Sequence, residues 1–336
     1  MASYRKLGSA TSGLADWMAL LPTPLISNPL TSLAIPGSSA SFSCTATPFH
    51  DISPDNCLLV RALGHLSCCV GKEGICRWSR TQDLSVEQQL TKGVRYFDVQ
   101  VAARTRTGDF HIVCGLYGDE LSSCMKEIKL FLDSHEKEVI IIDINKFYNM
   151  NDILHMKLLS IITHCFDDKL CPYDKDCDVT LGSLWNRGQQ VIVIYHNDIV
   201  YEYENFWPGD SIVYQPKLVP NTPTDLILQL DMISKDDPGE RPGIGQEKKL
   251  FKCCRGTISL SKRKCLSRLS SSRKREMSIA VAPLLASWLK NRSRANLNVI
   301  TTDFVHLSNF VRYVVNLNIT TTETAVIPTS FANGRI

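Results

Sequence analysis

Residues 93–118 read GVRYFDVQVAARTRTGDFHIVCGLYG, and the period of this stretch decides the fold class. A strand over 94–101 places Val94, Tyr96, Asp98 and Gln100 on one face and Arg95, Phe97, Val99 and Val101 on the other. One face is apolar apart from Arg95, and the other carries a carboxylate and an amide. Residues 102–109 hold three charged side chains and Gly108, the composition of a solvated connection. A second strand over 110–114 sets Phe110, Ile112 and Cys114 against His111, whose odd offset turns it away from the face of Cys114.

Outward from this pair the chain alternates. Upstream, Ser85-Val86-Glu87-Gln88 fits a capping box and Gly93 stands where a helix C′ glycine belongs. Downstream, Leu121, Cys124, Met125, Ile128, Phe131 and Leu132 form one helical stripe within 119–136. The run EVIIIDIN at 138–145 is apolar on both faces, as a strand in a helix-covered parallel sheet must be. A helix over 152–166 (Ile153, Leu154, Leu158, Ile161, Ile162) and a strand at Gln190–Tyr195 repeat the unit. A helix over about 277–290, with Pro283 near its first turns, precedes a strand at Leu297–Asp303. Alternating strands and helices predict an α/β protein with a closed or doubly wound parallel sheet.

The flanks read more simply. Residues 1–14 are small and polar, a flexible N-terminus, and Trp17, Met18, Leu20 and Leu21 begin the packed part. Leu30–Cys44 predicts a short strand, a Pro-Gly turn and a Ser-rich loop, 48–76 an irregular stretch rich in turn formers, and 319–336 a polar tail. A single domain over 15–318 is expected.

The 336 residues are 44% apolar and 21% charged, the composition of a folded globular chain. The net charge of +3 is unevenly spread: residues 248–275 hold eleven Lys and Arg and no acid, leaving 26 basic against 34 acidic residues elsewhere. Such a segment is read as a solvated, mobile surface, as an attraction for anionic lipid headgroups, or as an import signal through Lys262-Arg263-Lys264 and Arg273-Lys274-Arg275. Phe251 is its only aromatic, so nucleic acid is not an expected partner. The thirteen cysteines show no CxxC and no zinc-site spacing, and read mainly as reduced thiols; the N-terminus lacks the apolar run of a signal peptide. A cytoplasmic location is expected, with peripheral membrane contact compatible with it. No run approaches 18 apolar residues.

The ordered blocks LTSLAIPGSSASFS, WSRTQDLSVEQQLTKGVRYFDVQV, HIVCGLYG, EVIIIDINKFYNM, GQQVIVIYHN, FWPG and NVITTDFV resemble the small phosphatidylinositol-specific phospholipase C X-domain-containing proteins over residues 15–318. The resemblance implies a distorted TIM-type barrel with its site at the C-terminal strand ends. It also implies a phosphoric diester hydrolase in which the inositol 2-hydroxyl attacks the phosphate, with a general base, a general acid and a cation for the phosphoryl oxygens. In that family a His-Asp pair follows the first Pro-Gly, an Asp and an Arg lie on the second strand, a His lies on the third, and a late Asp orients the first His.

Here the base position falls on Ser39 and its neighbour on Ala40. Asp98 is kept, the arginine becomes Gln100 and the acid histidine becomes Cys114, while Asp303 is kept near the last strand. A serine is no base near neutral pH, and a neutral amide is no bidentate cation. Lys146, where family members tend to carry His, reads equally as a phosphate contact or a solvated lysine. His155, His164 and His196 read as structural. No cofactor is expected, and no metal, because the loop Ser38-Ser39-Ala40-Ser41 offers no acid. The resemblance implies a divergent, catalytically impaired member kept as a phosphoinositide-binding or scaffold module; the alternative is a working phosphodiesterase that releases diacylglycerol and an inositol phosphate.

Overall fold

A computed structural model of the chain describes residues 13–56, 60–61, 69–235, 250–259, 273–292 and 297–324. Helix α1 (Thr23–Ile26) precedes strand β1 (Ile35–Ser38), and α2 (Cys69–Ser79) and α3 (Val86–Thr91) lead to β2 (Tyr96–Ala103). The chain then turns through β3 (Phe110–Cys114) and β4 (Leu116–Glu120) into α4 (Leu121–Ser134), β5 (Ile140–Tyr148), α5 (Asp152–Phe166), α6 (Leu181–Arg187) and β6 (Val191–Tyr195). Strands β7 (Trp207–Pro208) and β8 (Ile212–Gln215) follow closely, then α7 (Pro223–Lys235), β9 (Phe251–Arg255), α8 (Arg273–Lys290), β10 (Val299–Thr302) and α9 (Phe310–Thr324).

The parallel strands lie in the order β7-β6-β5-β2-β1-β10-β9-β8. Read round a ring this is chain order, with β3 and β4 an antiparallel excursion from β2. The first and last strands close the ring, Ile35 to Ser38 pairing with Val299 to Thr302. The ring is distorted opposite this seam. Among the described residues no ladder joins β7 to β8, and the links there are short 3-10 turns, Asp198–Glu202 and Gly209–Ser211, in place of α-helices. The architecture is a TIM-type barrel, as the alternation and the resemblance predict.

Local sequence explains the elements that place the site. Ile140–Ile144 and Val191–Tyr195 are buried on both faces because helices cover them outside and the barrel interior fills behind them. Ser85 and Gln88 complete the capping box of α3, and Gly93 (φ +99°) lets the chain turn straight into β2. The six-residue stripe of α4 is buried throughout. At the lower end of β2, Arg95 is fully buried against Glu138 at 2.8 Å.

Several local readings change. The Pro-Gly pair is not a turn: Pro36 and Gly37 sit inside β1, where a Cβ on Gly37 would come within 2.7 Å of the Tyr96 ring. Leu20 and Ile153 are exposed (54% and 70%), lying just off the buried sides of their segments. The stretch 48–76 contains the start of α2, and β4 occupies residues given to the helix after it. Helix α8 begins at Arg273, which makes Pro283 an interior residue. Part of the basic stretch is core, with Phe251, Cys253 and Cys254 of β9 buried between β8 and β10. Helix α9 runs to Thr324, through the start of the stretch read as a polar tail. Residues 1–12, 325–336 and the triplet Lys262-Arg263-Lys264 lie outside the described residues. Among the described residues no helix is long and apolar enough to cross a membrane.

Candidate functional site

The C-terminal ends of β1, β2, β5 and β10 converge on one group of side chains. Beyond β1, the Ser39 N–H donates to the Thr302 carbonyl at 3.2 Å. Ala40 takes a left-handed conformation (φ +37°), unusual for a residue with a Cβ, and its N–H donates to Asp98 Oδ2 at 3.0 Å. Ser41 fixes this loop to β2: its Oγ accepts from the Asp98 N–H at 2.8 Å and donates to the Ser38 carbonyl at 2.9 Å.

The second oxygen of Asp98 is claimed from the other side. Val99 pairs with Ile144 but Gln100 with Lys146, so Asn145 is the extra residue of a bulge. Its Nδ2 donates to Asp98 Oδ1 at 2.6 Å. Burial pushes the Asp98 carboxyl above the usual carboxylate range, against the pull of these two donors. Gln100 accepts from the Tyr148 hydroxyl at 3.5 Å, and Lys146 is exposed.

Cys114 ends β3. Its thiol donates to the Ser79 carbonyl at 2.9 Å, at the end of α2, and burial, with Asp55 adding to it, drives its pKa well up. His111 on the same strand donates from Nδ1 to the Gly118 carbonyl at 3.0 Å, away from Cys114, as the strand parity predicts. Asp303 is buried behind β10, and its Oδ2 lies 3.4 Å from the ammonium of Lys274 in α8. Asp98, Asp303 and Lys274 lie close enough for their charges to act on one another.

Beside Asp98, in register on β5, stands Asp143, fully buried. It accepts from the hydroxyls of Tyr96 and Tyr214 and pairs with His196 Nε2 at 2.8 Å. The Arg255 guanidinium lies 4.3 Å over the Tyr214 ring. His196 therefore lies at the mouth, joined to a carboxylate. His155, by contrast, bonds Tyr195 in the wall at 2.6 Å.

The family model for the phosphatidylinositol-specific phospholipase C X domain matches residues 73–197. PI-PLC X domain-containing protein 3 of Danio rerio is 30% identical over 315 residues, covering 93% of this chain and 95% of that protein. The chain belongs to the PI-PLC X-domain family. PI-PLC X domain-containing protein 2 of Mus musculus is 32% identical over 308 residues, covering 90% of the chain and 87% of the relative. In fold, this PI-PLC X-domain protein matches the Staphylococcus aureus phosphatidylinositol-specific phospholipase C with a TM-score of 0.63 at 14% identity, over 92% of the chain and 99% of that protein. The Listeria monocytogenes enzyme gives 0.58 at 16%, over 90% and 98%.

Of the residues named from sequence, this PI-PLC X-domain barrel gathers Ser39, Ala40, Asp98, Cys114 and Asp303, with Gln100 and Lys146 further out along β2 and β5. Asn145, Asp143 and Tyr214 were not singled out, and Lys274 was read only as a member of a basic triplet. Asp143 carried a readable signal, a lone acid inside an apolar run. Lys274 carried none, being one of eleven basic residues in its segment.

Proposed function

We propose that this PI-PLC X-domain protein is a catalytically silent barrel, kept as a binding or scaffold module for phosphoinositide headgroups. One observation carries the reading: the two carboxylates kept at the family's catalytic positions, Asp98 and Asp303, already have partners that are not imidazoles. Asp98 is held by the Ala40 N–H and the Asn145 amide, and Asp303 by Lys274. At the acid position the half-buried Cys114 thiol is committed to the Ser79 carbonyl. A general acid or base each contributes about 10²- to 10⁴-fold, so losing both with the phosphate cation leaves little turnover. In this reading residues 15–318 form the module, and it works in the cytoplasm against an anionic phospholipid surface. The S. aureus enzyme is itself known for membrane binding.

The test is incubation of the purified protein with phosphatidylinositol while following inositol cyclic phosphate. Turnover no higher than that of a Cys114→Ala, Asp98→Asn control is expected, and turnover well above it overturns the silent reading. The second reading, a working phosphodiesterase, draws on the His196–Asp143 pair, an imidazole and carboxylate beside Asp98. It requires that His196→Ala abolish that turnover.

A further inference from the structure

Lys274 belongs to α8, which supplies none of the positions that the family uses for cleavage. It stands in the first turn of the helix, where a cation opposes the helix dipole. Two acids from the barrel rim answer that end of α8. Asp303 pairs with Lys274, and Asp83 with Arg275, whose guanidinium also lies 5.4 Å over the Phe304 ring. The helix is thereby pinned with its lysine at the mouth.

Three features set this lysine apart from a structural ion pair. Its side chain keeps 25% exposure. Among the described residues Asp303 Oδ1 and Ser38 Oγ, on neighbouring strand ends, are buried without a hydrogen-bond partner, and offer an acceptor and a donor to a polyol hydroxyl. Burial works against the ammonium, but Asp303, with Asp98 behind it, outweighs burial and raises the Lys274 pKa above the ordinary lysine value. Lys274 is thus a cation at neutral pH and not a base.

We propose that Lys274 receives the phosphate of an inositol phosphate headgroup at this mouth, taking over from a helix the task that Gln100 cannot perform on β2. The proposal rests on the headgroup-binding reading. A lysine is a point charge without the planar fork of a guanidinium, so it holds a phosphate without imposing the two-point geometry that arginine gives.

The experiment is titration calorimetry on the full chain with inositol 1-phosphate, repeated with phosphatidylinositol vesicles against phosphatidylserine vesicles. Wild type is expected to bind, Lys274→Met to bind about tenfold or more weakly, and Lys274→Arg to stay within about threefold. Lys274→Gln keeps a donor for Asp303 and gives the same comparison should Lys274→Met fail to fold. Loss on both the soluble and the vesicle arms identifies a lipid headgroup, and loss on the soluble arm alone a free inositol phosphate; either supports the proposal. Equal or tighter binding by the folded Lys274→Met or Lys274→Gln protein overturns it and leaves the headgroup site standing. Absence of wild-type binding on every arm overturns both.

Discussion

The two ends of β2 both bury charge, and they do so differently. Below, Arg95 is 0% exposed and spends its donors on Glu138 and on the carbonyls of Ala15, Leu90 and Val94. Glu138 Oε1 in turn accepts from the N–H groups of Met18 and Ala19, tying the N-terminal segment to the barrel floor. Arg95 and Glu138 leave each other no unpartnered oxygen for a ligand. Above, Asp303 keeps an unpartnered oxygen and Lys274 remains partly in solvent. Buried charge alone does not mark a site; the two ends differ in the hydrogen-bonding capacity their charged groups leave unspent.

The largest test of this contrast is Arg95→Met, which strands Glu138 in the core and should cost about 3–5 kcal/mol in urea unfolding. The pair Arg95→Met, Glu138→Met should recover most of the loss, since replacing both partners by apolar groups is often neutral. A loss below about 1 kcal/mol for the single change would erase the distinction between the ends. On the neighbouring strand β1, Gly37→Ala drives a Cβ into the Tyr96 ring at the start of β2, and overpacking of this kind lowers stability by about 1–3 kcal/mol, read as a fall in Tm.

At the upper end Asp98→Ala leaves the Ala40 N–H and the Asn145 amide without their acceptor, at about 1–3 kcal/mol. Its pH dependence has a definite sign. Burial raises the Asp98 pKa in the folded state, so the native protein binds more protons than the unfolded chain between the two pKa values. The contribution of Asp98 to stability is greatest below the unfolded value of about 3.9 and falls as pH rises through the folded one. Asp98→Asn should flatten that slope in pH-dependent unfolding; an unchanged slope would place its origin elsewhere. The smallest effect is chemical. With its thiol pKa driven up by burial, Cys114 should be alkylated by iodoacetamide at pH 8 far more slowly than the exposed Cys177, as peptide mass spectrometry would show.

What sequence could and could not reveal follows from the same physics. The β5 and β6 runs, the α4 stripe and the capping box of α3 are periodic features, and periodicity is local. Strand β9 was hidden because a charge count over 248–275 averages the buried Phe251, Cys253 and Cys254 together with Lys252 and Arg255. Asp98 and Asp303 were legible through the resemblance to the family. Asn145 was not, since only the bulge turns it toward Asp98, and a two-residue period contains no bulge. Lys274 reaches Asp303 across a helix packing that no spacing encodes.

The seam between β1 and β10 bears on how the chain reaches this fold. Ile35 and Val299 are partners, and Asn318 seals the same edge by bonding both the N–H and the carbonyl of Ala34. These contacts join residues more than 250 positions apart. During synthesis β1 therefore emerges early and waits with an open edge until the C-terminal quarter has left the ribosome. Such long-range pairing slows folding and exposes strand edges to misassembly in the interval. A chaperone that shields the nascent β1–β2 edge would act at the step this topology makes slowest.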